Sequence, residues 1–155
     1  MYEQLSWLSS MSIDYLGHID APGHPLPLYS FTVPAGFPSP AQDHIEREIS
    51  LDELLGLRLP QVFLARVGGD SMKGVGIFDG DLVVVDRAIE AKPGLIVIAA
   101  LNNEPLIKTL CKDGDQFILR SENATFAPRY VLENDELLIW GVVLYSIRSH
   151  TNARA

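Results

Sequence analysis

Seven short apolar segments separated by turn residues, all after residue 60, constrain the fold of this chain more than any other feature of its sequence. The segments are rich in β-branched and aromatic residues, as strands are. Asn102-Asn103 predicts the turn of one hairpin and Asp113-Gly114 the turn of the next. We therefore predict a mostly β chain with a compact curved antiparallel fold, a short helical segment and an extended N-terminal arm. The seven segments are QVFLARV, DLVVVD, GLIVIAAL, PLIKTLC, QFILRS, RYVLE and ELLIWGVVLYSIR.

The first 40 residues are predicted to form the extended arm. Six of the ten prolines lie between Pro22 and Pro40. Proline fixes its own φ and favours extended geometry in the residue before it. An ordinary unstructured N-terminus is the alternative interpretation of this composition.

Two helix-capping patterns follow the arm and predict two short helical turns that end by Pro60. Ile45 and Ile49 are one turn apart and could share a buried helical face. The capping residues are Ser39, Pro40, Gln42, Ser50 and Glu53.

Composition argues against several kinds of site. The formal net charge of the 155-residue chain is −8, so little or no direct DNA binding is expected. The single cysteine, Cys111, excludes an internal disulfide and fits a reducing compartment. The four histidines have no cysteine partners at zinc spacing, and neither a metal nor a cofactor is predicted. The apolar runs are shorter than the roughly 20 residues that span a bilayer, so we expect a cytoplasmic protein without membrane association.

A serine in a glycine-rich bend, within VGGDSMKGVGIFDGDLVVVD at residues 67–86, raises the functional question. A phosphate-binding loop would need G-x-x-x-x-G-K-[ST] or G-x-G-x-x-G, and neither pattern occurs here. Ser71 is then either a turn residue or a nucleophile. The turn interpretation leaves Met72 unexplained, because a large apolar side chain stands beside the serine in a polar bend.

Lys108 is the candidate base for such a nucleophile. Strand alternation in PLIKTLC places Lys108 on the same face as Leu106 and Leu110. If that face is buried, burial lowers the lysine pKa, and a neutral amine can take a proton from a serine hydroxyl. The alternative is a lysine on the solvent face whose aliphatic stem covers apolar surface.

Taken in order, these motifs resemble those of the LexA and UmuD group of self-cleaving serine peptidases, the S24 type. The resemblance runs from AGFPSPAQDHIEREISLDELL to WGVVLYSIR, roughly three quarters of the chain. Its motifs are specific in combination rather than singly. They are GFPSP, GDSM, DGDLVVVD, IVIAA and the lysine strand PLIKTL.

The resemblance implies a catalytic dyad and a substrate. Ser71 would be the nucleophile, with its own backbone N–H as oxyanion donor, and Lys108 would be the general base. The bond cut would be the chain's own Ala35-Gly36 bond in TVPAGFPSP, where small residues in an extended segment can approach the serine closely. Residues 1–35 would form the cleavable arm, residues 36–148 the serine–lysine peptidase domain and residues 149–155 a disordered tail.

The resemblance also implies partners. A RecA filament on single-stranded DNA would stimulate the cut. The processed homodimer would then serve as an accessory subunit of an error-prone Y-family polymerase, UmuC-like, in SOS translesion synthesis. Two alternatives stay open: a binding module that does not cleave, and a transcriptional regulator that partners a LexA-type protein. The first 40 residues are too short and too proline-rich for a helix-turn-helix domain, which disfavours a stand-alone repressor.

Overall fold

The structure, a computed structural model, describes residues 13–17, 23–29 and 45–151. These residues belong to two compact units, one formed by the first strand with the chain from Pro60 onward and the other within residues 19–59. The elements in chain order are β1 (Ile13–Gly17), β2 (Leu26–Tyr29), β3 (Ile45–Ile49), α1 (Leu51–Leu54), β4 (Val62–Val67), β5 (Leu82–Asp86), β6 (Ile96–Leu101), β7 (Glu104–Asp113), β8 (Gln116–Arg120), β9 (Arg129–Tyr130) and β10 (Leu137–Ile147).

The larger unit is an eight-stranded antiparallel sheet in the order β1-β4-β5-β10-β6-β7-β8-β9. Each of the seven predicted segments coincides with one of its strands, β4 to β10, although β7 extends beyond PLIKTLC at both ends. The predicted mostly β, antiparallel fold is therefore confirmed. The strand β1, which pairs with β4 at one edge of the sheet, was not predicted as a strand.

The predicted hairpin turns can be checked residue by residue. Asn102 and Asn103 connect β6 to β7 with φ values of 51° and 66°, a left-handed conformation that asparagine tolerates. The second turn lies one residue later than predicted. Asp113 is still paired, with Gln116, so that Gly114 and Asp115 make the turn.

Irregularities in β10 bend the sheet. The register shifts between Ile139 and Gly141 against β6, and between Val143 and Tyr145 against β5. Such bulges increase strand bending and twist. The sheet curves so far that β1, at its edge, contacts β7, which stands five places away in the strand order.

Two clusters of buried apolar side chains form the core. The first cluster is Phe63, Ala65, Val67, Met72, Ile77, Val83, Val85, Ile98 and Ile107. The second cluster is Val97, Ala99, Leu101, Leu110, Leu119 and Val142, with Leu106 packed against it.

The smaller unit corrects one prediction. Residues Ile45–Ile49, predicted to be helical, form the strand β3 and pair with β2. Cross-strand pairing overrides the weak one-turn spacing of the two isoleucines. The helix α1 does begin after Ser50, but the Ser50 hydroxyl contacts Asp52 and caps no helix N–H. Residues 39–42, the first capping pattern, lie outside the described residues.

Candidate active site

The loop that carries Ser71 connects β4 to β5 and reaches β7. Two strands, β10 and β6, lie between β5 and β7, so in a flat sheet β5 and β7 would be about 14 Å apart. Met72 is 1% exposed and belongs to the first core cluster, together with Phe63 of β4 and Ile107 of β7. The Met72 side chain therefore anchors the loop in the core, which explains a large apolar residue beside the serine.

Ser71 and Lys108 meet although 37 residues separate them in sequence. Lys108 Nζ lies 3.0 Å from Ser71 Oγ and donates a hydrogen bond to the backbone oxygen of Ile107, also at 3.0 Å. Lys108 is opposite Val97 in the β6–β7 ladder, which puts its side chain on the face of the second core cluster. Both members of the pair are half-buried.

Burial sets the protonation of this amine. Desolvation lowers the pKa of Lys108 below its ordinary value, because burial disfavours the charged form. Among the described residues, no carboxylate forms a salt bridge with Lys108 that would oppose this effect. An amine that loses its proton more easily, 3.0 Å from a hydroxyl oxygen, is placed where it can accept the hydroxyl proton.

The segment after β8 holds the serine loop from one side. The Gly74 N–H donates to the Glu122 backbone oxygen at 2.7 Å, and the Asn123 side-chain amide donates to the Asp70 backbone oxygen at 3.0 Å. Glu122 also accepts side-chain hydrogen bonds from Thr109 and Arg120, which lower its carboxyl pKa. Because Thr109 follows Lys108 directly, this segment connects the loop of the serine to the strand of the lysine.

An ion pair holds the other end of the loop. Asp81 is 2% exposed and accepts hydrogen bonds from the Arg148 guanidinium at 2.6 and 2.8 Å and from the Phe78 N–H at 2.8 Å. The hydrogen bond from Arg148 keeps the pKa of Asp81 low. Arg148 also donates to the Gly76 backbone oxygen at 2.7 Å and lies over the Phe78 ring. No sequence pattern predicts this pair, because the two side chains are 67 positions apart in the chain.

The structure leaves one predicted part of the site undescribed. Ala35 and Gly36, the predicted cleavage site, lie outside the described residues. Within the described ranges, no three histidine, cysteine, aspartate or glutamate side chains are grouped so as to hold a metal ion. In the same ranges, no helix has the length and apolar character needed to cross a membrane.

Comparison with known proteins indicates the same family as the sequence motifs. The family model for the S24-like peptidases matches residues 27–144. The LexA repressor of Bordetella avium is 38% identical over 118 residues, which are 76% of this chain and 55% of that protein. Protein MucA of Salmonella typhimurium is 38% identical over 128 residues, 82% of this chain and 87% of MucA. The chain thus spans about half of the Bordetella LexA repressor but most of MucA. Because the family model matches more than half of the chain, this protein belongs to the S24-like peptidases, the LexA and UmuD family.

Proposed function

We propose that this protein is a self-cleaving serine peptidase in which Ser71 is the nucleophile and Lys108 the general base. The observation that carries the proposal is the 3.0 Å contact between Lys108 Nζ and Ser71 Oγ, made by an amine whose pKa burial lowers. Membership of the S24-like family supports the same assignment.

The proposed substrate is the Ala35-Gly36 bond of the chain itself. The neutral Lys108 amine takes the hydroxyl proton as Ser71 Oγ attacks the Ala35 carbonyl carbon. The Ser71 backbone N–H stabilises the resulting oxyanion. Among the described residues, no backbone carbonyl accepts a hydrogen bond from that N–H. Lys108 then returns the proton to the leaving nitrogen of Gly36. The same amine next takes a proton from the water that attacks the Ser71 ester and passes it to Ser71 Oγ as the ester bond breaks.

We further propose that a RecA filament on single-stranded DNA stimulates this cut, and that the processed homodimer assists a Y-family polymerase in SOS translesion synthesis. The likeness to MucA over most of its length supports a role of this kind more than the likeness to about half of LexA does. The net charge of −8 fits a protein that acts through protein partners rather than by binding DNA.

The test compares the purified wild-type chain with its Ser71→Ala and Lys108→Ala variants. All are incubated at alkaline pH, or with RecA, nucleotide and single-stranded DNA, and their masses are measured. The wild type should yield fragments 1–35 and 36–155. Each variant should lose at least about 10³-fold in rate, and the double variant should be no slower than either single one, because the two groups act as one unit.

A matched control is Lys92→Ala, which removes an exposed lysine and should cut normally. A cut at another bond would refute the site assignment. A wild-type chain that stays intact under every condition, yet binds RecA or a polymerase, would instead identify a binding module.

A further inference from the structure

The proposed cleavage site lies between strands that remain paired across it. Ala35-Gly36 comes after β1 and β2 in sequence and before β3 and β4. Yet β1 pairs with β4 in the larger unit, and β2 pairs with β3 in the smaller one. The bond therefore lies in the connection between the two partners of each ladder, and neither ladder contains it.

The ladder between β1 and β4 is the first attachment. The strand β1 forms the edge of the sheet. Its pairs with β4 are Ile13 with Val67, Asp14 with Arg66, Tyr15 with Ala65 and Gly17 with Leu64. The pairing closes the outer edge of β4, the strand that leads into the Ser71 loop. These arm residues precede the part matched by the family model, residues 27–144.

The smaller unit provides two more attachments. In its ladder, Leu26 is paired with Ile49 and Leu28 with Arg47. In addition, the Gly23 N–H donates to a carboxylate oxygen of Asp52 at 3.1 Å. Asp52 is 6% exposed and also binds the Arg58 guanidinium at 2.9 Å, so its carboxylate is held in place to receive the arm.

We propose that residues 1–35 stay bound after the cut, with the outer edge of β4 as a binding site for the strand 13–17. This inference rests on the proposed cleavage at Ala35-Gly36. A strand added to a sheet edge is held by backbone hydrogen bonds that need no covalent link. Two ladders and one hydrogen bond hold the same fragment and reinforce one another. When one of these contacts breaks, the others keep the fragment close enough for the broken contact to form again. Release of the arm is then a step separate from the cut, and only release opens the edge of β4 to another extended segment.

The retention test does not depend on self-cleavage. A Ser71→Ala chain receives a recognition site for an added protease between residues 35 and 36. The folded full-length protein is then cut by that protease and passed over a gel-filtration column. The 1–35 fragment should co-elute with 36–155. A fragment that separates as soon as the bond is cut would overturn the proposal, whether or not the wild-type chain cleaves itself.

Variants then assign the retention to the attachments. Tyr15→Pro removes an N–H from β1. Asp52→Asn removes the negative charge from the group that accepts the hydrogen bond of the Gly23 N–H. Each should release the fragment at least tenfold faster, whereas the exposed Asp113→Asn should not change the rate. Retention that is unaffected by Tyr15→Pro would overturn the assignment of the β4 edge.

A cross-link tests the β1–β4 ladder directly in the uncut chain. Asp14 and Arg66 are opposite each other, a position at which two cysteines can form a disulfide. In a Cys111→Ser background, Asp14→Cys with Arg66→Cys should give an intramolecular disulfide under mild oxidation. The pair Asp14→Cys with Lys92→Cys should not. Failure of the first pair to cross-link would show that 13–17 does not occupy this edge.

Discussion

At Lys108, burial and hydrogen bonding together determine what one side chain can do. The amine donates to the Ile107 carbonyl and contacts Ser71 Oγ, so its polar atom is satisfied in a half-buried position. Neither contact supplies a negative charge, and burial therefore lowers its pKa. A lysine paired with a carboxylate in the same place would stay charged and could not act as a base.

This lowered pKa predicts the pH dependence of self-cleavage. The rate should rise with pH as the Lys108 amine loses its proton, and should then reach a plateau. The midpoint of the rise, which is the apparent pKa, should lie below about 10.4, the ordinary lysine value. Initial rates measured by gel densitometry from pH 6 to 11 give this curve, and the Ser71→Ala chain supplies the uncatalysed background. A midpoint at or above 10.4 would contradict a desolvated base.

At the scale of elements, the serine loop is held by backbone contacts, and two glycines permit them for different reasons. Gly76 has a φ of 82°, in the left-handed region that favours glycine. Gly74 instead needs space: a Cβ there would lie 2.3 Å from the Glu122 backbone oxygen, the atom that accepts the Gly74 N–H. The glycine-rich bend is thus a docking surface for the segment after β8 as well as a chain reversal.

Gly74→Ala should therefore impair cleavage without unfolding the protein. The added methyl group must displace the Glu122 backbone, and with it the loop that places Ser71 Oγ near Lys108. We expect a loss of about 10²-fold in cleavage rate, the scale of a misplacement of about 1 Å. Far-UV circular dichroism and cleavage rates measured side by side separate the two effects. Gly114→Ala, in the β7–β8 turn, has open space around its Cβ but strains a φ of 56°, so it is the control for backbone strain outside the serine loop and should cut at nearly the wild-type rate.

At the scale of the whole molecule, a side chain just after the last strand holds the loop that carries Ser71. Arg148 follows β10 directly and binds both Asp81, which precedes β5, and the Gly76 carbonyl in the serine loop. Since β10 pairs with both β5 and β6, this ion pair joins the end of the chain to the middle of the sheet.

Arg148→Met should lower the free energy of unfolding at pH 7, because it leaves the buried Asp81 carboxylate without its cationic partner and with only the Phe78 N–H as donor. The pKa of Asp81 is lowered in the folded protein, so the stabilisation is fully present above the unfolded pKa of about 3.9 and is lost as pH falls through the lower folded value. Urea unfolding at several pH values should show wild type and variant converging below about pH 4.

Lys92→Met is the matched control for Arg148→Met. Lys92 pairs with Glu90 on the exposed surface, so its loss should change the free energy of unfolding by less than about 1 kcal/mol. An Arg148→Met protein as stable as the wild type at pH 7 would show that the ion pair with Asp81 does not stabilise the fold.

The strands from β4 to β10 could be predicted from the sequence, because alternating and β-branched segments between strong turn residues depend on local preferences. The sequence also indicated the dyad candidates, since Ser71 stands in a recognisable motif and Lys108 shares a strand face with two leucines. The helical prediction for Ile45–Ile49 was wrong because a spacing of four residues between apolar side chains is weak information when a partner strand is available.

Contacts between groups far apart in the chain could not be predicted from the sequence and are seen only in the folded protein. The approach of Lys108 to Ser71, the ion pair of Arg148 with Asp81 and the docking of Gly74 on Glu122 all join segments far apart in the chain. The pairing of β1 with β4 could likewise not be predicted from the sequence, since an edge strand is defined by the strand with which it pairs. The physical reason is the same in each case: local preferences fix the conformation of a segment, but sheet order and curvature fix its neighbours.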